Sequence, residues 1–301
     1  MRSLVAKKSV YPSLTQPNNR MRSNYVLGLD SQSFHRMHYT DWGDPANPRV
    51  VICVHGLTRN ARDFDWLAQA LCDTYRVICP DMPGRGLSDW LKDHNDYAYS
   101  VYLNDIAVLL GYLHVTVIDW VGTSMGGLMG MCLAAREHCP IRKMVLNDIG
   151  PEIPGPALER MATYVGRDPH FSDLDGVKNY FKAIHASFGL LSEDVWAHMA
   201  QHGAKRIAEG DYRLHYDPRI GEGLRQKLQG PTDLWRVWDA VRCAVRVLRG
   251  TESDVLTHAA ASQMARRGPR ANLVEFSGIG HVPALTTLDQ IAAIREWLLA
   301  D

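Results

Sequence analysis

The chain has 301 residues, of which 33 are basic and 33 acidic, so its formal charge at neutral pH is zero with histidine uncharged. A general binder of nucleic acid or of an anionic membrane would carry a basic excess, and no apolar run approaches the about 18 residues of a membrane span. Apolar residues make up 46% of the chain, which is ordinary for a globular enzyme with a sizeable core.

The first 24 residues differ in composition from the rest. They contain five basic side chains, no acidic one and no long apolar segment, which argues against a secretory signal. Two prolines favour an extended arm of residues 1–24, although an organelle transit peptide would have a similar composition. The six cysteines of the chain show no C-x-x-C or histidine-paired spacing. We therefore expect reduced thiols, no metal site, no cofactor and a cytoplasmic protein.

From residue 25 to residue 150, segments with strand patterns alternate with segments of helical spacing. A hairpin of residues 25–29 and 34–39 comes first. Strand and helix patterns then follow in turn at 49–54, 64–71, 75–80, 99–113, 115–121, 128–135 and 143–148. This alternation predicts an α/β fold, in which a mostly parallel sheet is covered by helices on both faces.

One serine stands between a predicted strand and a predicted helix. Ser124 lies in the segment Gly122-Thr123-Ser124-Met125-Gly126-Gly127, directly after the apolar run 115–121. A sharp turn of small residues at such a place exposes the hydroxyl at the positive end of the helix, as a nucleophile elbow requires. The alternative is a glycine-rich helix start in which Ser124 only caps the helix.

The alternation stops between residues 151 and 233. Prolines open this segment, and helical patterns follow at 157–165, 175–188 and 192–202 without a buried strand. Asp173 or Asp175 and Ser192 are candidate helix caps. We expect a helical lid of residues 151–233, inserted into a core of residues 25–150 and 234–301.

In an enzyme that has a lid, the side chains of the lid shape the substrate pocket. Phe188 and Trp196 are the candidates for the pocket wall here. Aromatic residues at helical spacing more often only pack the apolar face of a lid helix.

A nucleophilic serine needs a base to take its proton and an acid to orient that base. Asp254 follows the strand pattern that ends at Gly250, and His281 follows the strand pattern 273–276 in a glycine-flanked loop. The carboxyl ends of parallel strands meet at one edge of a sheet, where ligands bind. Asp148 also follows a strand and is the rival acid. We expect Asp254 to orient the histidine and Asp148 to brace its own loop.

Several separated motifs occur in a fixed order. They are His55-Gly56 after the strand 49–54, the segment 81–88 (Asp-Met-Pro-Gly-Arg-Gly-Leu-Ser), the Ser124 turn, Gly250 with Ser253-Asp254, and Gly280-His281. From about residue 34 to the C-terminus the sequence therefore resembles the α/β-hydrolase superfamily, in its lid-bearing, esterase-like branch. The resemblance implies that Ser124 is the nucleophile, His281 the general base and Asp254 the orienting acid.

The same arrangement needs two N–H groups for the oxyanion that forms on the substrate. The expected donors are the backbone N–H of Met125, just after the nucleophile, and that of Leu57, in the loop after His55-Gly56. We interpret His55 itself as a structural side chain that braces this loop.

A serine nucleophile favours attack on a carbonyl carbon, whereas relatives of this fold that attack an alkyl carbon use aspartate. The sequence predicts a serine esterase that cleaves a small acyl substrate through an acyl-enzyme. Hydrolysis of a carbon–carbon bond in a ring-cleavage keto acid is the alternative, with Arg59 holding the carboxylate. Arg59 could equally pair with Asp63 or Asp65. A non-catalytic receptor or scaffold of the same fold is the third interpretation.

Overall fold

The computed structural model describes residues 21–207, 210–227 and 232–300. Strands and helices alternate in its first part as predicted. In chain order they are β1 (Met21–Leu29), β2 (Phe34–Trp42), β3 (Val50–Val54), α1 (Asp65–Leu71), β4 (Arg76–Pro80), α2 (Tyr99–Tyr112), β5 (Ile118–Thr123), α3 (Met125–Ala134) and β6 (Ile141–Asn147). β1 begins before the predicted core boundary at residue 25. Residues 1–20, the rest of the predicted arm, lie outside the described residues.

A segment without strands of the main sheet follows β6. Its elements are β7 (Glu152–Ile153), α4 (Gly155–Ala162), β8 (His170–Phe171), α5 (Leu174–Ile184), α6 (Glu193–Gly203), β9 (Ala204–Arg206), β10 (Tyr212–Leu214), α7 (Ile220–Lys227) and β11 (Thr232–Asp233). We call this segment, residues 151–233, the insertion.

The insertion contains the expected helices and, in addition, short strands. Asp173 caps α5 by accepting from Gly176 N at 2.8 Å, and Ser192 caps α6 by accepting from Val195 N at 3.3 Å. Strands β8, β10 and β9 form a small antiparallel sheet, and β7 pairs with β11. The sequence showed no strand here because strands of two or three residues are too short for a visible alternation of side chains.

The C-terminal part completes the core. Its elements are α8 (Trp235–Ala240), β12 (Ala244–Gly250), α9 (His258–Met264), β13 (Asn272–Phe276) and α10 (Leu288–Leu299). The main sheet has the strand order β1-β2-β4-β3-β5-β6-β12-β13. Strands from β4 to β13 pair in parallel, and β1 and β2 form the predicted antiparallel hairpin at one edge. The loops after β3, β5, β6, β12 and β13 therefore emerge at the same end of the sheet.

Each face of the sheet carries an apolar cluster, because successive side chains of a strand point to opposite faces. In β3, Val50 and Ile52 belong to the cluster that includes α2 and α3, whereas Val51 and Cys53 belong to the cluster that includes α1 and α10. Buried side chains of α4 join the first cluster, and those of α5 and α6 join the second. The insertion is therefore packed onto the core through both clusters.

The described helices include none that is both long and apolar enough to cross a membrane. All six cysteines are free, and Cys53, Cys72 and Cys79 are buried. Burial raises the pKa of the Cys79 thiol, so this side chain is protonated at neutral pH and packs as a small apolar residue.

Candidate active site

The turn between β5 and α3 holds Ser124 in a strained backbone conformation. Its φ of 49° and ψ of −112° lie outside the regions that residues other than glycine usually adopt. A Cβ at Gly122 would lie 2.4 Å from the backbone of Gly126, and a Cβ at Gly126 would lie 2.0 Å from the Val54 carbonyl oxygen. Only glycine fits at both places, and the turn has the tight geometry of a nucleophile elbow.

His281 lies in the loop after β13 and contacts Ser124. Its Nε2 is 3.0 Å from Ser124 Oγ, and the imidazole is buried. Ser187 of the insertion donates its hydroxyl to the His281 carbonyl at 2.5 Å and accepts from Gly280 N at 2.7 Å. The insertion and the core therefore both hold the loop that carries this histidine.

Asp148, the residue after β6, is the acid that contacts His281. The distance from Asp148 Oδ2 to His281 Nδ1 is 2.8 Å. Asp148 is fully buried, with a left-handed φ of 54°. It also accepts hydrogen bonds from Gly250 N at 2.9 Å and from Ser253 Oγ at 2.5 Å. These contacts fix the carboxylate, which in turn holds the imidazole in one orientation.

The predicted acid, Asp254, forms its hydrogen bonds elsewhere. Its carboxylate accepts two from the Arg160 guanidinium of α4, at 2.6 and 2.9 Å, and its side chain is 44% exposed. Partial burial raises the pKa of the Asp254 carboxyl, but Arg160 outweighs this effect and the net pKa lies below its ordinary value. The turn after β12 directs Ser253, not Asp254, towards Asp148. This geometry corrects our assignment of the acid that contacts His281.

The loop after β3 is held by two buried side chains. His55 Nε2 accepts from Met82 N at 2.9 Å, so Nδ1 carries the proton that is donated to the Gly56 carbonyl at 2.7 Å. Burial lowers the pKa of His55 to about 4, and the imidazole is therefore neutral at pH 7. Asp81 accepts from Ala61 N in the same loop at 2.7 Å. The hydrogen bonds of His55 are those of a loop brace.

The expected oxyanion donors flank Ser124. Leu57 and Met125 line one cavity together with this serine. Met125 is the first residue of α3, so its N–H has no carbonyl partner within the helix. Within the described ranges the N–H of Leu57 has no backbone acceptor. Both N–H groups therefore lie beside the Ser124 cavity without a backbone acceptor among the described residues, and their role as oxyanion donors stays a prediction.

Two cavities meet at Ser124. One, of about 70 Å³, is lined by Ser124 and His281, and we call it the histidine cavity. The other, of about 320 Å³, is lined by Ser124, Met125 and Arg85, and we call it the arginine cavity. The remaining walls of the arginine cavity are mostly apolar or aromatic and include Leu57, Tyr97, Tyr99, Tyr102, Leu128 and Met161.

Two of the three predicted substrate residues line the histidine cavity, and the third does not. Arg59 lines the histidine cavity, but Asp63 accepts from its Nε at 2.9 Å and from its Nη2 at 2.6 Å. Phe188 lines the same cavity and stacks on His185, with ring centroids 4.5 Å apart. Trp196 is buried in the apolar cluster shared with α1 and lies outside the residues that line either cavity. It packs the insertion onto the core, which corrects its assignment to the pocket wall.

Several residues that line the histidine cavity were not predicted from the sequence to be substrate residues. They are Trp66, Arg160, Tyr164, His185, His198 and Met199. They come from four segments that are far apart in the sequence, around residues 66, 160–164, 185 and 198–199, so no single local spacing connects them. Burial lowers the pKa of His185 well below its ordinary value, and the imidazole is therefore neutral at pH 7. The sequence shows that the insertion is rich in aromatic and histidine residues, but it does not show which face of each helix lines the cavity.

One group of side chains has the composition of a metal site. The ligand atoms of Asp65, His198 and His202 lie within 4.8 Å of one another. However, Arg62 donates to Asp65 at 2.5 Å, and its Nη1 lies 3.4 Å from His202 Nδ1. Burial, followed by the charge of Arg62, lowers the pKa of His202 to about 3. A guanidinium at this place repels a metal cation, so we interpret the group as a hydrogen-bonded cluster.

Comparison with known proteins gives consistent matches over most of the chain. A family model described as alpha/beta hydrolase family matches residues 51–294. The 3-hydroxybutyrate-oligomer hydrolase of Cupriavidus necator is 41% identical over 284 residues, which are 92% of this chain and 97% of the relative. The 2-(acetamidomethylene)succinate hydrolase of Mesorhizobium japonicum is 27% identical over 236 residues, covering 77% and 81% respectively. A solved alpha/beta hydrolase from Novosphingobium aromaticivorans shares 35% identity and a TM-score of 0.82, over 93% of this chain and 98% of that one.

Proposed function

The chain belongs to the alpha/beta hydrolase family, and we propose that it is a serine esterase that works through Ser124, His281 and Asp148. Its relatives are hydrolases of ester or acyl substrates, so it is an enzyme of this class. The observation that carries the proposal is the continuous chain of hydrogen bonds, at 3.0 Å from Ser124 to His281 and at 2.8 Å from His281 to Asp148.

In the proposed reaction, His281 Nε2 takes the proton of the Ser124 hydroxyl while Oγ attacks the ester carbonyl carbon. The carbonyl electron pair moves to oxygen, and the N–H groups of Leu57 and Met125 stabilise this oxyanion. The intermediate collapses to the acyl-enzyme, and His281 returns its proton to the leaving alkoxide. A water molecule, deprotonated by His281, then attacks the acyl carbon, and the bond to Ser124 Oγ breaks as His281 returns the proton to Oγ, which releases the acid and restores the serine.

We propose short esters of 3-hydroxy acids, such as 3-hydroxybutyrate oligomers, as the substrate class. The relative that shares 41% identity over 97% of its own length bears the name of such a hydrolase. The two cavities at Ser124, of about 70 and 320 Å³, leave room for a short acid unit on either side of the ester.

The carbon–carbon hydrolase alternative depended on a free Arg59. Asp63 accepts from Nε and Nη2 of Arg59, so this pair of nitrogens is not available to hold a substrate carboxylate bidentately. The ester interpretation needs no such contact, since an ester carbonyl is activated by the oxyanion donors alone. We therefore rank ester hydrolysis first.

The proposal is tested with the purified full chain. We expect hydrolysis of 3-hydroxybutyrate dimer and trimer, and of p-nitrophenyl acetate and butyrate, with lower rates on octanoate. Ser124→Ala should abolish all of these activities. Slow ester turnover beside rapid cleavage of a ring-cleavage keto acid would replace the proposal by its alternative. Full ester hydrolysis by folded Ser124→Ala would refute the assigned nucleophile.

A further inference from the structure

Arg85 is the fully buried arginine at the wall of the arginine cavity, with an exposed fraction of 0%. It lies in the loop after β4, where Gly86 N donates to His215 O and Asp217 N donates to Gly84 O. The insertion therefore holds this loop from one side. The loop that carries Leu57 lies on the other side, because Arg85 Nε donates to the Leu57 carbonyl at 2.8 Å.

The partners of the Arg85 guanidinium are all neutral. Nη1 donates to the Pro83 carbonyl and to the Tyr102 hydroxyl, both at 2.7 Å. Nη2 donates to Met125 Sδ at 3.6 Å, and a thioether is a weak acceptor. Among the described residues, Arg85 therefore has no carboxylate partner. Arg59 and Arg160, which line the histidine cavity, each pair with a carboxylate.

Two of these four partners, Leu57 and Met125, are the expected oxyanion donors. We infer that Arg85 is a positioning residue of the oxyanion hole: it fixes Leu57 and Met125 beside Ser124 and places an uncompensated positive charge next to them. The inference rests on the proposed serine-esterase function, because an oxyanion forms only if Ser124 attacks a carbonyl.

A buried cation without an anionic partner is unfavourable in the resting protein. The negative charge that forms on the carbonyl oxygen during the attack supplies the missing partner. Interactions that are stronger in the transition state than in the bound substrate raise kcat without lowering KM. An electrostatic role for Arg85 therefore predicts a specific kinetic signature, which a role in packing alone does not.

The test uses Arg85→Met, which keeps the length of the side chain, and Arg85→Lys, which keeps the charge. With p-nitrophenyl butyrate we expect kcat to fall about 100-fold in Arg85→Met, as when one oxyanion donor is lost. KM should stay within about threefold, since ground-state binding is unchanged. The inhibition constant of a trifluoromethyl ketone, whose adduct with Ser124 carries an oxyanion, should rise by about the same factor as kcat falls. Arg85→Lys should be intermediate in both measurements.

Arg76→Met is the matched control. Arg76 is a partly buried arginine at the start of β4, at the opposite end of this strand from Arg85, and it pairs with Asp41. Its loss should lower the melting temperature and leave kcat and the ketone affinity unchanged. If Arg85→Met does not fold, Arg85→Lys supplies the same two readouts.

An unchanged kcat in either folded Arg85 variant would overturn the inference. So would an equal rise in KM and in the ketone inhibition constant, which would indicate a distorted cavity. Failure of the underlying function is seen separately, because it would leave the wild-type protein unreactive to the ketone and Ser124→Ala as active as wild type.

Discussion

The core and the insertion contribute to the proposed active site in different ways. The core supplies Ser124 and Asp148, each the first residue after a strand, and His281, five residues after a strand, and joins them by hydrogen bonds of 3.0 and 2.8 Å. The insertion supplies cavity walls and contacts the histidine loop through Ser187. The proposed reacting groups therefore come from elements whose ends are fixed by the parallel sheet, whereas the cavity walls come from helices that pack through apolar faces.

This division predicts that changes in the core abolish chemistry and that changes in the insertion alter substrate preference. The contact between Ser187 and His281 is where the two regions meet.

Ser124→Ala should lower kcat by about 10⁶-fold, because only oxyanion stabilisation and substrate binding remain. The measurement is steady-state hydrolysis of p-nitrophenyl butyrate by the purified variant, with circular dichroism to verify the fold. Ser262→Ala, in α9 of the core, is the control and should retain wild-type kcat. A fluorophosphonate should label Ser124 in the wild-type protein, and a label on a different serine would contradict the role of the elbow.

Asp148→Asn should lower kcat by about 10⁴-fold, because an amide at this place favours the wrong tautomer of His281. Asp254→Asn should cost less than about tenfold, since its carboxylate pairs with Arg160 at the partly exposed rim. Both variants replace one oxygen by nitrogen, so their kcat values compare two positions at constant shape. A larger loss in Asp254→Asn than in Asp148→Asn would contradict this assignment and make Asp254 the acid that acts on His281.

Acid should destabilise the core through His55. Its pKa in the folded protein, about 4, lies below the ordinary value of about 6.5, so the unfolded chain takes up the proton first as pH falls. Stability is therefore lost between about pH 6.5 and pH 4, and at pH 5 the loss from this residue amounts to about 2 kcal/mol.

Urea unfolding at pH 7 and pH 5 measures this difference. His55→Gln should reduce the loss of unfolding free energy, and His202→Gln should reduce it by at least as much, because the pKa of His202 in the folded protein is about 3. The same pH dependence in wild type and His55→Gln would exclude His55 as the source.

Phe188→Ala should shift the preference among acyl chain lengths by about 1 kcal/mol, roughly fivefold in the ratio of kcat/KM values, because it enlarges the histidine cavity. Trp196→Ala is the matched variant in the same insertion. It should lower the melting temperature and leave the preference profile unchanged, since this ring packs in the cluster shared with α1. A change of profile in Trp196→Ala alone would place the specificity wall in α6.

The sequence was sufficient for the features that depend on local chemistry. The Ser124 turn and the caps of α5 and α6 each follow from residues that are close together in the chain. The parallel sheet followed from the repeated alternation of strands and helices, and its existence implied that the loops after the strands meet.

Tertiary structure was needed to decide which of two neighbouring loops supplies the side chain that contacts His281. Asp148 and Asp254 both follow strands that neighbour each other in the sheet, and sequence spacing does not show which side chain turns inward. The left-handed backbone at Asp148 and the pairing of Asp254 with Arg160 distinguish them, and Arg160 comes from the insertion, 94 residues away in the chain. The same applies to Phe188 and Trp196, whose helical spacing indicates burial but not the surface that each one faces. Local patterns are set by neighbours along the chain, whereas the orientation of a side chain depends on partners that only folding brings into contact.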